Sequence, residues 1–295
     1  MFAAIDIGSN TVQMMICSVA AGRLCDHRNY IRTTRLGMGS DGVLPASAIE
    51  LTAQAVAEYM DIIMQENVEQ VSILATSAVR DAINADELRE AIRQAAPNAV
   101  EIEVLSGEHE AMLSAWGAVS AAGADVACPV LDVGGASSEL IYMGQGIESF
   151  SANVGAVRVV REGWSRSDVR DRLAAVYRKL RLSDKIIGVG GAITSAAGVI
   201  KGLGEYDRYA IEGTLLKKSQ LEDLCAYYES MSIDQRCQSS PLMAQRGSII
   251  VEGLWIWLSA LDILDIDVVQ VTGGGLLDGA VCKMAGLIPR YSCLE

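Results

Sequence analysis

Two stretches of this sequence follow one plan: AAIDIGSNTVQMMIC at residues 3–17 and VLDVGGASSELIYM at residues 130–143. In each, an apolar strand ends in Asp, an apolar residue and Gly, and small polar residues then lead into a second apolar strand. The pattern predicts a hairpin with a glycine-containing turn. Because Asp6 and Asp132 lie 126 positions apart, the repeat has the scale of a whole domain.

The segments around these hairpins alternate strand with helix, which predicts α/β domains with largely parallel central sheets. Further strands are predicted at 24–35, 71–75, 100–105, 126–133, 186–189 and 268–271. Helices are predicted at 46–66, near 77–95, and at 107–120, 156–163, 167–180, from 191, 217–230, 245–263 and 276–285. A run of small residues near 120–128 predicts two domains, 1–124 and 125–295, and the lack of a low-complexity linker predicts close packing around an interdomain cleft.

Composition and charge exclude several classes of protein. The 295 residues are 51% apolar, and 37 acidic against 24 basic residues give a net charge of −13. A nucleic-acid binder needs a basic face, so that class is excluded. No apolar run reaches the roughly 18 uncharged residues of a membrane span. Seven cysteines without a secretory signal predict a cytoplasmic protein with reduced thiols.

The two hairpin turns are candidate phosphate sites. A turn of this kind leaves several backbone N–H groups pointing into one concavity, which binds phosphate oxygens without basic side chains. The alternative is an ordinary hairpin turn, but the repetition and a third glycine-rich turn at 272–275 favour binding. The predicted phosphate-binding residues are Gly8, Ser9, Asn10 and Thr11 in the first turn, and Gly134, Gly135, Ala136, Ser137 and Ser138 in the second.

Three carboxylates are candidate magnesium ligands. Asp6 and Asp132 end buried strands, where a carboxylate is costly unless it is paired or holds a metal. Glu139 follows seven residues after Asp132, so its side chain can return to the same end of the hairpin. Mg²⁺ prefers such oxygen ligands together with substrate phosphate. For Glu139 a solvated strand position is an equal alternative.

Two arginines stand out because residues 1–125 hold only seven, against 17 acidic residues. Arg35 and Arg80 lie beside glycine or small polar residues, where a guanidinium could grip phosphate. Pairing with a structural carboxylate such as Asp81 is the alternative for these arginines. Nine basic and four acidic residues at 158–185 could guide an anionic chain, although a solvated helix face is the favoured explanation.

Taken together, these segments resemble the Ppx/GppA phosphatase family, the exopolyphosphatases and guanosine pentaphosphate phosphohydrolases of the actin-like superfamily. The resemblance implies two actin-like (ribonuclease H-like) domains and the short two-domain form of the family. The matching segments are DIGSNT at 6–11, TRLG at 34–37, ATSAVR at 75–80, SGEHEA at 106–111, DVGGASSE at 132–139, GAVR at 155–158, GVGG at 188–191 and GGL at 274–276.

The resemblance assigns roles that spacing alone does not. By position in the family motif, Glu110 is the catalytic general base, although an acidic residue early in a helix is otherwise explained by the helix dipole. Asp132 and Glu139 match the residues that assist magnesium and water, and Arg35 and Arg80 match arginines near the cleft. Three positions depart from the family: Ala136 replaces a glycine, His109 an acidic residue, and Leu277 an arginine.

The resemblance implies an exopolyphosphatase-type hydrolase that releases terminal phosphate from inorganic polyphosphate by metal-assisted attack of water. The scarcity of cations favours short chains. The alternatives are a guanosine pentaphosphate 5′-phosphohydrolase, a kinase of the same fold, and a non-catalytic regulator that binds guanosine tetraphosphate or polyphosphate. Mg²⁺ is the implied cofactor and a homodimer the implied assembly.

Overall fold

The structure is a computed structural model that describes residues 1–38, 42–124, 127–143, 147–179, 183–244 and 246–288. Its contacts divide the chain into two compact units. The first comprises Met1–Gly117 and the described chain from Gly275 onward, and the second comprises Ala118–Gly274.

The first unit is built on one five-stranded sheet. Its elements in chain order are β1 (Phe2–Ile7), β2 (Thr11–Ala20), β3 (Arg23–Thr33), α1 (Ala46–Gln65), β4 (Gln70–Ala75), α2 (Ser77–Arg80), α3 (Ala85–Ala95), β5 (Ile102–Val104) and α4 (Gly107–Ala122, which continues into the second unit). The strand order is β3-β2-β1-β4-β5. The first three strands are antiparallel neighbours, whereas β4 and β5 run parallel to β1.

Side-chain alternation on β1 decides what faces the core of the first unit. Ala3, Ile5 and Ile7 are fully buried and pack with the apolar face of α1. Asp6, between two of them, therefore points to the opposite face of the sheet. The parallel strands β1, β4 and β5 end along one edge, so the residues that follow them are brought together there.

The second unit repeats this plan with six strands. Its elements are β6 (Val130–Val133), β7 (Ser138–Met143), β8 (Ile147–Ala152), α5 (Ala156–Glu162), α6 (Arg166–Val176), β9 (Lys185–Val189), α7 (Gly191–Ile200), α8 (Arg208–Ile211), β10 (Leu215–Lys217), α9 (Lys218–Glu229), α10 (Ile233–Gln238), α11 (Ile250–Leu264) and β11 (Val268–Val271). The order is β10-β11-β9-β6-β7-β8. As in the first unit, an antiparallel three-stranded meander is followed by parallel strands, here β9 and β11. The duplication seen in the sequence is therefore a duplication of topology.

The last helix, α12 (Leu276–Met284), packs against β1, β2 and β4 of the first unit. Its contact with α4 is close, because a Cβ atom on Gly279 would lie 1.8 Å from the carbonyl oxygen of Leu113. The division that the sequence predicts at 124/125 therefore differs from the observed units. Residues 118–124 group with the second unit, α12 groups with the first, and residues 125 and 126 lie outside the described residues.

Most predicted elements are present with bounds shifted by a few residues. The strand predicted at 126–133 begins at Val130, and the helix predicted from 245 begins at Ile250; residues 126 and 245 lie outside the described chain, as do residues 180–182 of the basic stretch. Four short elements were not predicted: β8, α8, β10 and α10. None of the described helices combines the length and apolar character that a bilayer-crossing segment needs.

Candidate functional site

The first candidate turn joins β1 to β2 at the carboxyl edge of the first sheet. The N–H of Gly8 donates to the carbonyl oxygen of Thr11 at 3.0 Å and closes the turn. Within the described residues, the N–H groups of Ser9 and Asn10 donate to no protein acceptor. Ser9 and Asn10 are also exposed. The turn therefore offers the outward-facing donors that an anion site needs.

A segment that follows β3 holds the carbonyl side of this turn. The N–H groups of Thr34 and Arg35 both donate to the carbonyl oxygen of Asn10 at 3.0 Å, and Gly37 N–H donates to that of Ser9 at 2.7 Å. Arg35 adopts a left-handed backbone with φ of 55°. A non-glycine residue in this region is strained, and such strain often marks functional sites.

Arg35 differs from most arginines of its unit in its electrostatic surroundings. Five of the seven arginines in Met1–Gly117 form ion pairs with acidic side chains, namely Arg28, Arg32, Arg80, Arg89 and Arg93. Arg35 is exposed and pairs with no carboxylate in the described part of the chain. Its charge is thus available to an anion beside the turn.

Asp6 lies just before the turn, with one carboxylate oxygen enclosed by protein. Its Oδ1 atom is buried and has no hydrogen-bond partner among the described residues. Burial, and to a smaller extent the negative charge of Glu110, raises the pKa of Asp6 to about 7. A buried carboxylate oxygen without a hydrogen-bond partner is energetically costly unless it is protonated or binds a cation.

Glu110 lies in the first turn of α4, where the hydroxyl of Ser106 accepts the N–H of His109. Arg80, at the end of α2, donates from Nη1 to Glu110 Oε2 at 3.2 Å and to the carbonyl oxygen of Leu105 at 2.8 Å. Arg80 Nε also lies 3.6 Å from Asp81 Oδ1. The guanidinium predicted to grip phosphate is therefore already engaged by protein acceptors.

The second candidate turn, residues 134–137, joins β6 to β7 in the second unit and repeats the first. Gly134 N–H donates to the carbonyl oxygen of Ser137 at 3.0 Å. Within the described residues, the N–H groups of Gly135, Ala136 and Ser137 donate to no protein acceptor. Ala136 is not among the residues with positive φ, so its methyl group causes no backbone strain. The alanine that departs from the family pattern thus fits this turn.

Ser138 must be corrected as a predicted phosphate ligand. It is fully buried, and its hydroxyl accepts a hydrogen bond from Tyr177 at 2.7 Å. Neighbouring residues of a strand face opposite sides, so Ser138 faces the core when Glu139 does not. That alternation could have been applied to the sequence alone.

Asp132 and Glu139 lie directly opposite each other in the β6–β7 pair. Side chains in such a pair have Cβ atoms about 4.5–5.5 Å apart and share one face of the sheet. The hydroxyl of Ser151 donates to Glu139 Oε1 at 3.1 Å. Among the described residues no group of three or more His, Cys, Asp or Glu side chains is arranged to hold a metal. Mg²⁺ takes only one or two carboxylates beside substrate phosphate, so this pair fits it.

A cavity of about 250 Å³ in the second unit adjoins this pair and was not predicted. It is lined by Asp132, Gly134, Gly135, Gly190, Gly191 and Arg246, among others. A Cβ atom on Gly191 would lie 2.6 Å from the Cζ atom of Arg246, so the guanidinium rests directly on the glycine backbone. Arg246 follows Gly191 by 55 positions, and no local motif marks it.

The third glycine-rich turn, residues 272–275, differs from the other two because its N–H groups are already used. Gly273 N–H donates to Glu212 Oε2 at 3.0 Å, Gly274 N–H to Thr272 Oγ1 at 2.9 Å, and Gly275 N–H to Asp278 Oδ2 at 3.1 Å. This turn therefore offers no comparable anion site. Leu277, which replaces an arginine of the family motif, is a half-buried residue of α12 and supplies no charge.

The predicted site residues thus form one cluster in each unit. The first unit brings together the turn at residues 8–11 with Asp6, Arg35, Arg80 and Glu110. The second brings together the turn at residues 134–137 with Asp132 and Glu139. Arg158 and Arg246, which join the second cluster, were not among the predicted site residues.

Comparison with known proteins shows which family this chain resembles. The model of the Ppx/GppA phosphatase family matches residues 15–287. Exopolyphosphatase 2 of Mycobacterium tuberculosis is 31% identical, over 96% of this chain and 98% of that protein.

Two crystal structures of Ppx/GppA family members from Aquifex aeolicus are similar as well. One superposes with a TM-score of 0.86 at 26% identity, covering 96% of this chain and 97% of the other. The second, a type II variant, has a TM-score of 0.84 at 26% identity, covering 96% and 98%. The predicted fold class of actin-like α/β domains is thereby confirmed, and the chain belongs to the Ppx/GppA phosphatase family.

Proposed function

We propose that this phosphatase is an exopolyphosphatase that hydrolyses the terminal phosphoanhydride bond of inorganic polyphosphate. The observation that carries the proposal is the pair of equivalent turns, at residues 8–11 and 134–137, whose outward N–H groups have no protein acceptor in the described chain. Terminal phosphate needs many donors but little positive charge when backbone groups supply them. A relative named Exopolyphosphatase 2 supports the same substrate class.

Glu110 is the proposed general base. Its carboxylate takes a proton from water, the water oxygen forms a bond to the terminal phosphorus, and the anhydride P–O bond breaks. The products are orthophosphate and a chain shorter by one phosphate. Arg80 holds Oε2 of Glu110 at 3.2 Å, which orients the base. Phosphoryl transfer of this kind depends mostly on positioning and electrostatics.

Asp132 and Glu139 are the proposed magnesium ligands in the second unit. Their opposed positions on β6 and β7 support this role. A bound Mg²⁺ would neutralise negative charge on the phosphate oxygens. In the first unit, the buried and unpartnered Oδ1 of Asp6 is compatible with its predicted role as a cation ligand.

The remaining predictions concern the length and identity of the substrate, the assembly of the protein and its location. Few cations are available to hold a long polyanion, which favours short chains over long ones. Guanosine pentaphosphate is the competing substrate. The homodimer and the cytoplasmic location also stay predictions.

The test is release of orthophosphate by the purified protein, with and without Mg²⁺, from long polyphosphate, tripolyphosphate, guanosine pentaphosphate and ATP. We expect the highest kcat/KM on a short polyphosphate in the presence of Mg²⁺. A preference for guanosine pentaphosphate would replace the proposed substrate. ATP-dependent transfer to an acceptor without net phosphate release would indicate a kinase.

Glu110→Gln is the matched catalytic variant. It should lower phosphate release by about 10²–10⁴-fold while the fold remains intact. Glu108→Gln is the control, because Glu108 is an exposed residue two positions earlier in α4 and forms no hydrogen bond or ion pair with a described site residue. Glu110→Gln activity within about threefold of the parent would overturn the assignment of the base.

A further inference from the structure

The turn at residues 134–137 is held from one side by the chain that follows β8. Ala156 N–H donates to the carbonyl oxygen of Gly134 at 3.1 Å, and Arg158 N–H donates to that of Gly135 at 3.0 Å. The third carbonyl, that of Ala136, accepts a hydrogen bond from the side-chain Nε of Arg158 at 2.8 Å. Three consecutive carbonyl groups of the turn are thus occupied, two by backbone and one by a guanidinium.

This arrangement determines where the N–H groups of the turn point. In a trans peptide the C=O of one residue and the N–H of the next point in opposite directions, and the described chain contains no cis peptide. Because the carbonyls of Gly134, Gly135 and Ala136 are held toward the start of α5, the N–H groups of the residues after each of them face away from it. These are the three N–H groups without a protein acceptor.

The first unit contains the equivalent device at the equivalent place in the repeat. There, residues 34–37 follow β3 and donate backbone N–H groups to the carbonyls of Ser9 and Asn10. In the second unit, residues 155–158 follow β8, the strand that corresponds to β3. The difference is that a side chain, Arg158 Nε, supplies one of the donors in the second unit.

We propose that Arg158 is a positioning residue for phosphate binding, which orients the peptide between Ala136 and Ser137 so that all three N–H groups of the turn face the substrate. This inference rests on the proposed function, which identifies polyphosphate as the substrate. Among the described residues, Arg158 has no carboxylate partner. Its charge also polarises the peptide group that it holds, which strengthens the opposite N–H as a donor to an anion.

The neighbouring arginines provide a contrast. Arg161, in the next turn of α5, is paired with Glu162 through two hydrogen bonds. Arg172 stacks on Trp164 with its Cζ atom 3.8 Å from the ring centroid. Neither side chain is hydrogen-bonded to the phosphate turn among the described residues, so Arg161 is a suitable control for charge alone.

The experiment compares the parent with Arg158→Gln, Arg158→Lys and Arg161→Gln. Steady-state hydrolysis of tripolyphosphate gives kcat and KM, and calorimetry gives the affinity for orthophosphate and tripolyphosphate. Thermal unfolding of each variant shows whether it is folded. We expect Arg158→Gln to lower affinity for both ligands and kcat/KM by about tenfold, the usual size for one charge-assisted hydrogen bond.

Lysine at position 158 can still donate one hydrogen bond to the Ala136 carbonyl, so Arg158→Lys should recover part of the loss. Arg161→Gln should leave all values unchanged. The inference is overturned if Arg158→Gln lowers only the unfolding temperature. It is also overturned if both glutamine variants lose kcat/KM equally and the loss disappears at high salt, because that behaviour indicates long-range attraction.

The inference and the proposed function can fail separately. If the parent hydrolyses no polyphosphate but binds tripolyphosphate, and Arg158→Gln weakens that binding, the positioning role stands and the proposed activity fails. If the parent hydrolyses polyphosphate and Arg158→Gln binds it as tightly as the parent, the positioning role fails and the activity stands.

Discussion

Nη1 of Arg80 lies 3.2 Å from Oε2 of Glu110, and the same nitrogen donates to the carbonyl oxygen of Leu105 at 2.8 Å. Arg80 ends α2, and Leu105 directly follows β5. The carbonyl oxygen of Leu105 holds the guanidinium of Arg80, and this guanidinium in turn orients the carboxylate of Glu110. An arginine predicted to bind phosphate thus contacts the proposed base in the structure.

This contact predicts the kinetic signature of Arg80→Gln. Loss of an orienting hydrogen bond should lower kcat by about tenfold to a hundredfold with little change in KM. The control is Arg89→Gln, since Arg89 forms an exposed ion pair with Asp86 on α3 and should be neutral. A large rise in KM at unchanged kcat would instead indicate the phosphate contact that the sequence predicts.

Asp6 should make the folded protein less stable as the pH rises. Its pKa is raised from 3.8 to about 7, so the folded protein holds this proton more tightly than the unfolded chain does. Asp6 therefore destabilises the fold increasingly as pH rises between those values. Asp6→Asn should raise the free energy of unfolding by about 1–4 kcal/mol at about pH 8, and by less at about pH 5.

Urea unfolding in metal-free buffer at both pH values measures this difference. Asp61→Asn serves as the control, because Asp61 is an exposed residue of α1. A stability gain that is the same at both pH values would show that ionisation of Asp6 is not its source.

The variant Arg35→Gly should weaken substrate binding without lowering stability. Glycine adopts a φ of 55° without the steric cost that arginine bears, so Arg35→Gly should keep or raise stability, by up to about 1 kcal/mol. Removal of a cation that has no described partner should raise KM for tripolyphosphate by about tenfold. Ala21→Gly is the matched control: its φ is 50°, it lies in the β2–β3 turn, and it should leave KM unchanged. An unchanged KM in Arg35→Gly would remove Arg35 from the phosphate site.

Gly155 should be required for the shape of the second turn. A Cβ atom there would lie 2.4 Å from the carbonyl carbon of Gly135, so Gly155→Ala must displace that backbone. We expect a loss of about 1–3 kcal/mol in the free energy of unfolding, together with a higher KM. Gly204→Ala is the control, because no heavy atom lies within 4 Å of its added Cβ. Wild-type KM and stability in Gly155→Ala would contradict the close approach.

Much of the fold was predictable because it depends on sequence patterns among near neighbours. The hairpins at β1–β2 and β6–β7 follow from apolar strands and glycine turns, and the helices α1 and α12 from apolar spacing and flanking residues. The four missed elements have six residues or fewer: β10 has three, α8 has four, and β8 and α10 have six each. Segments of that length carry too little periodicity to be identified, so packing decides them.

The sequence by itself determined that two copies of one hairpin, each with an aspartate and a glycine-containing turn, build this protein, because strand alternation and turn chemistry act between near neighbours. Only the tertiary structure decided that Arg80 meets Glu110, that Tyr177 is the hydrogen-bond partner of Ser138, and that α12 completes the first unit. Each of those outcomes depends on where elements distant in sequence pack. The same is true of the carbonyl contacts that turn the N–H groups of both turns outward, since each donor comes from a segment that follows the next two strands.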